Sequence, residues 1–166
     1  MKKNIFMLAI SIFMQSVLAF DNHTFTRVEI PYTKNGCSFQ GSPIDFCDER
    51  HLAEIKKAIA TMKPNFNEHY ILLPILERKK YFQKSIVLID TVSGIVYPLP
   101  IDFYSGYANN KKGASNFGTI KYSLNKNTIC IEGSIFVYRS EKDGVFCFYF
   151  NGTTFSGYRT TYMTND

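Results

Sequence analysis

The chain has 166 residues, 19 of them Lys or Arg against 14 Asp or Glu, for a formal net charge of +5. That length supports one domain with a core of its own. The basic excess is mild and spread along the chain, which argues against a nucleic-acid binder, where a concentrated basic stripe is needed.

The amino terminus predicts export. Lys2 and Lys3 form a basic n-region, Ile5 to Leu18 an apolar run, and Val17-Leu18-Ala19 a signal-peptidase site. Residues 1–19 are therefore read as a signal peptide and 20–166 as a single exported domain, periplasmic or secreted. Cleavage removes Lys2 and Lys3 and leaves 17 basic against 14 acidic residues. The leader is short for a bilayer span, and no later stretch is long and apolar enough for one.

Cys37, Cys47, Cys130 and Cys147 all follow the cleavage site, and an even count in an exported chain predicts two disulfides. Three connectivities are open. Cys37 and Cys47 flank a Gly/Ser/Pro loop and are paired first, which leaves Cys130 with Cys147. A hairpin turning over Ser140–Gly144 would set Cys147 opposite Phe136, about 20 Å from Cys130 by the rise per residue. Either that strand breaks near Gly133-Ser134, or the pairing crosses between the two halves.

In chain order, Thr24 to Ile30 reads as a first strand ending at Pro31, and Asn35-Gly36 as a turn. Asp48 caps a helix over Asp48–Met62, with Leu52, Ile55, Ile59 and Met62 as its apolar stripe and Pro64 as its stop. Tyr70–Leu76 is a strand, and Pro74 places it at an edge or a bulge. Glu77-Arg78-Lys79-Lys80 is a charged tight connection, and Tyr81–Ile89, containing the run SIVLI, is a buried strand. Asp90 to Gly94 turns the chain back through Ile95–Tyr97, and Pro98 and Pro100 stop that ladder.

Ser105 to Asn116 is a polar, Gly/Asn-rich loop. Strands follow over Gly118–Leu124, Thr128–Arg139 with a bulge or bend at Gly133, and Val145–Phe150. Asn151-Gly152 is read as a type I′ turn into Thr153–Tyr158. The fold class is α+β: a curved antiparallel β-sheet of about seven or eight strands with one packed amphipathic helix.

Chemistry is sparse. Asp45, Cys47, Asp48, Glu49 and His51 gather metal-type ligands, but Asp48 and Glu49 are what a helix start favours and Cys47 what a disulfide takes. His23, His51 and His69 sit in no G-x-S-x-G or H-E-x-x-H context. No metal or cofactor is called for. The partner-binding candidates are Tyr104, Tyr107, Asn109, Asn110, Lys111 and Lys112 around the polar loop, and Glu77, Arg78, Lys79 and Lys80 in the charged connection.

Phe66-Asn67-x-x-Tyr70, followed by Ile86 to Tyr97 (IVLIDTVSGIVY), resembles small exported bacterial proteins with an F-N-G-x-Y … I-I-D-x-x-T-G-x-V-Y core. Asn127–Gly133 and Phe148–Gly152 are similar to the closing hairpin of those proteins. The chain departs from them by lacking their tryptophans and the cysteine pair before the I-I-D strand. The resemblance implies a fold and no active site, and some small exported domains of this look act as immunity proteins against toxins. The expected function is non-enzymatic binding of another protein in the periplasm, neutralising a toxin or inhibiting a cell-envelope hydrolase. A hydrolase of unrecognised type and an envelope-associated structural protein are the alternatives.

Overall fold

The structure, a computed structural model, describes residues 24–33, 36–108 and 113–163. The expected leader and cleavage site, His23, Asn35 and Asn109–Lys112 lie outside the described residues. The elements run β1 (Arg27–Val28), α1 (Glu49–Thr61), β2 (Tyr70–Arg78), a 3₁₀ turn (Lys79–Tyr81), β3 (Gln83–Asp90), β4 (Ile95–Pro98) and β5 (Phe103–Ser105). They continue with β6 (Thr119–Lys121), β7 (Thr128–Val137), β8 (Ser140–Phe150), β9 (Phe155–Gly157) and a last 3₁₀ turn (Thr161–Met163).

All strands join one curled sheet in the order β1-β4-β3-β5-β7-β8-β9, with β2 on β3 and β6 on β7. The expected α+β class holds. The sheet is mixed, however: β1 runs parallel to β4 (Arg27 beside Ile95), and the other strand pairs are antiparallel. A parallel pair needs a long crossover, and α1 together with β2 and β3 supplies it. Among the described residues no helix is long and apolar enough to cross a membrane.

The run SIVLI is buried throughout because both faces of β3 are covered. Ile86 and Leu88 face one core with Leu72, Tyr97, Phe148 and Phe150. Val87 and Ile89 face the other with Ile71, Ile75, Phe46 and Ile55 of α1. Pro74 is accommodated because β2 pairs with β3 alone and is an edge. Asp48 caps α1 as expected, its side chain accepting from the His51 backbone N–H at 2.8 Å. The buried helix face differs from the apolar stripe: it is His51, Ile55 and Ala58, whereas Met62 is exposed.

Both disulfides form as first paired, Cys37–Cys47 and Cys130–Cys147. The obstacle to the second lay in the turn. The β7–β8 hairpin closes over Tyr138-Arg139, with Val137 opposite Ser140, so Cys130 falls directly opposite Cys147. Both turn residues have positive φ, 45° and 64°, as a two-residue hairpin turn with the right twist demands. Ser140–Gly144, read as a turn, belongs to β8, and Gly133 interrupts nothing in that ladder. Gly133 serves a different contact: the edge of β7 passes there from β5 to β6, and a Cβ would sit 2.1 Å from the Ser105 carbonyl oxygen. The Asn151-Gly152 turn is wider than read. Phe150 pairs with Phe155, and the Asn151 side chain accepts from the N–H groups of Thr153 and Thr154 across a four-residue loop.

Candidate functional site

The β2–β3 connection carries the densest charge in the described structure, and a bulge organises it. Leu76 pairs with Lys84 and Arg78 with Gln83, leaving Glu77 as the extra residue. A bulge re-aims side chains. Here it turns Glu77 under α1, where its side chain is only 8% exposed, and leaves Arg78, Lys79 and Lys80 in solvent. Glu77 and Arg78 thus lie in β2 and not in a tight connection, and Glu77 is not a surface residue.

Beyond the bulge the 3₁₀ turn ends on Phe82, whose φ is 54°. That left-handed residue swings Phe82 against Phe117, edge-on at 5.2 Å between ring centroids. Lys84 Nζ lies 4.3 Å over the Phe117 ring, the Arg78 guanidinium 5.3 Å over Phe103, and Lys80 Nζ 5.5 Å over Tyr81. A cation over a ring face is attracted by the ring quadrupole without a carboxylate. None of Arg78, Lys79, Lys80 and Lys84 has an ion-pair partner among the described residues.

Phe117 belongs to the segment between β5 and β6, so the charged connection and the polar loop form one surface. The loop closes at its neck, where Gly106 N–H donates to the Asn116 carbonyl at 2.8 Å and Ala108 bridges Ala114. Tyr107 is exposed on it, and Asn109–Lys112 are outside the described residues. Tyr104 is a correction: it pairs with Lys84 and Ile135 inside the sheet, is 3% exposed, and packs in the core. Burial raises its phenol pKa well above the ordinary value. Tyr81, Phe82, Lys84 and Phe117 were missed as site residues. The run Tyr81-Phe82-x-Lys84 extends the basic cluster in the sequence, but a strand-like alternation concealed its aromatic pairing with a loop thirty-five residues on.

Under α1, His51, Glu77, Ser85 and Asp48 form a second cluster. His51 Nε2 lies 2.9 Å from Glu77 Oε1 and its Nδ1 2.8 Å from Asp48 Oδ1. Ser85 Oγ donates to Glu77 at 2.6 Å, and Arg50 Nη2 to Glu77 Oε2 at 2.5 Å. Burial opposes charge on His51, but its bonds to Glu77 and Asp48 prevail and raise its pKa. Burial likewise opposes charge on Glu77, and the His51 and Ser85 hydrogen bonds outweigh it and lower its pKa. The residue types suit hydrolysis, but Ser85 donates to the acid and not to His51, and both are closed to solvent. The cluster ties the helix to the sheet.

Of the metal-type group, Asp45 and Cys47 come together, joined by Cys37 from outside it, and the three place their ligand atoms within 4.8 Å of one another. Both sulfurs are consumed by the disulfide, which leaves one carboxylate and no thiolate. No family model, curated protein or solved structure matches the chain. What fold and surface define is a disulfide-bonded α+β domain with a basic, aromatic-backed edge.

Proposed function

We propose that this chain is an exported, non-catalytic binding protein of the periplasm that docks its basic edge on an acidic patch of another protein, neutralising a toxin or inhibiting a cell-envelope hydrolase. The observation that carries the reading is the set Arg78, Lys79, Lys80 and Lys84, of which Arg78, Lys80 and Lys84 lie over aromatic rings and none has an ion-pair partner among the described residues. Such a surface is complementary to acidic protein and speeds encounter. Tyr81 and Tyr107, both exposed, add the aromatic contact area in which interfaces are rich. The apolar leader and the two disulfides support an oxidising compartment.

Periplasmic capture with the natural protein and with the triple variant Arg78→Glu, Lys79→Glu, Lys80→Glu tests the reading. The natural protein should retain a defined partner, weakened as salt rises from about 0.05 to about 0.5 M, and the triple variant should retain none. Turnover of an ester, peptide or glycan substrate by the natural protein, with no partner recovered, refutes it.

A further inference from the structure

At the other end of β2, about 26 Å from the basic edge by the rise per residue, a polar cleft of about 550 Å³ opens. Three turns build it, around residues 66–70, 123–127 and 150–154. Backbone bonds knit them together: Glu68 N–H to the Leu124 carbonyl at 2.6 Å, and Phe150 N–H to the Asn127 carbonyl at 2.9 Å. Asn67 and Glu68 are consecutive non-glycine residues with φ of 40° and 70°. Backbone held in that region costs stability and persists where surrounding contacts over-determine it.

Tyr70 forms the floor. It is 5% exposed, its ring meets Phe150 edge-on at 5.2 Å, and its hydroxyl has no hydrogen-bond partner among the described residues. That oxygen looks into the cleft, since a Cβ on Gly152, across the opening, would lie 3.8 Å from it. Among the described residues the buried side-chain polar atoms without a partner are Gln83 Oε1 and Thr160 Oγ1, so the Tyr70 oxygen is open to the cleft and offers a free donor there. Burial, with the Asp90 charge, also pushes its pKa up to about 12, so it remains a donor at any physiological pH.

The walls complete the chemistry. The carboxamides of Asn67 and Asn125 have no partner among the described residues, and the His69 ring, 42% exposed, lies tilted by 36° against Tyr70 at 4.2 Å, with its Nε2 3.6 Å from Asp90 Oδ1. Lys126 is the one cation lining the cleft among the described residues, and no carboxylate lines it. One flexible ammonium is a poor anion site, and polar walls are a poor apolar one. Paired planar carboxamides, a fixed phenol donor and an exposed ring face suit hydroxyls presented on a C–H surface.

We propose that this cleft binds a neutral oligosaccharide, the Tyr70 hydroxyl donating to a sugar oxygen, Asn67 and Asn125 bonding adjacent hydroxyl or acetamido groups, and His69 packing on a sugar face. The site is independent of the basic edge.

Amide chemical-shift titration of the disulfide-bonded protein with cellotetraose, maltotetraose and tetra-N-acetylchitotetraose, each to about 10 mM, tests it, since millimolar affinity is then readable. At least one sugar should shift amides at 67–70, 125–127 and 150–152, saturably. Tyr70→Phe and Asn125→Ala should each weaken binding about tenfold, as loss of one bond to a fixed donor does. Tyr70→Phe should leave the melting temperature unchanged or raised, because its hydroxyl bonds none of the described residues. The triple variant of the basic edge should bind sugar normally, so the two readings fail separately. No shift with any of the three sugars overturns the proposal, as does binding indifferent to Tyr70→Phe. Shifts produced at this cleft by an acidic peptide and by none of the sugars overturn the ligand class.

Discussion

His51 and Glu77 meet at 2.9 Å between helix and sheet, both nearly closed to solvent. The charged groups facing the imidazole are Asp48 at the helix N-cap, Arg50 beside it, and Glu77 from β2, which in turn accepts from the neutral Ser85 of β3. Both ring nitrogens face a carboxylate, and only the protonated ring can donate to both.

Stability should therefore fall on the alkaline side. A raised histidine stabilises fully below its ordinary pKa of about 6.5, and this is lost as pH rises through the higher folded value. Glu77 and Asp48 are lowered, so their contribution is present above the ordinary carboxylate range of about 4 and is lost as pH falls through their lower folded values. The melting temperature should peak between those limits. His51→Gln should flatten the alkaline slope, and calorimetry from about pH 5 to about pH 9 reads it.

Removing one partner of this cluster leaves uncompensated buried charge. Glu77→Gln should cost on the order of 3 kcal/mol in urea unfolding. Arg50, whose side chain is 47% exposed, loses much less when replaced by Met.

Thiol labelling of the unfolded, unreduced protein should find no free cysteine, since all four are paired. The double variant Cys130→Ser, Cys147→Ser should lose about 2–4 kcal/mol by the usual effect of a cross-link on the unfolded chain. Its β7–β8 register should persist in amide contacts, because the turn and ten cross-strand pairs set it independently.

Backbone strain gives predictions of opposite sign. Arg139 and Glu68 hold φ of 64° and 70°, so Arg139→Gly and Glu68→Gly should each stabilise by roughly 0.5–1 kcal/mol. At Gly133 a Cβ would meet the Ser105 carbonyl oxygen at 2.1 Å, so Gly133→Ala should destabilise by about 2–3 kcal/mol. Denaturant midpoints at constant slope would report all three.

Periodicity and local capping made much of the fold legible. Asp48 as N-cap, SIVLI as a buried strand, Pro74 at an edge or a bulge and the pairing of Cys37 with Cys47 follow from neighbours in the chain. The hairpin turn was not legible. Tyr138-Arg139 carries no turn residue, and Ser140–Gly144 imitates one. Ten ladder pairs and a disulfide outweigh the local preference of a Tyr and an Arg for negative φ.

The sites divide the same way. The sequence by itself determined that Arg78, Lys79 and Lys80 are a surface charge, because consecutive cations cannot be buried unpaired. Only the tertiary structure decided that Glu77, in the same run, turns inward to His51, that Tyr104 lies in the core, and that Phe117 backs Lys84. It alone also set Tyr70, Asn67 and Asn125 around one cleft. These depend on a bulge, a register and the meeting of distant turns. Contacts between residues tens of positions apart are decided by how the whole sheet closes, which no local window of the chain contains.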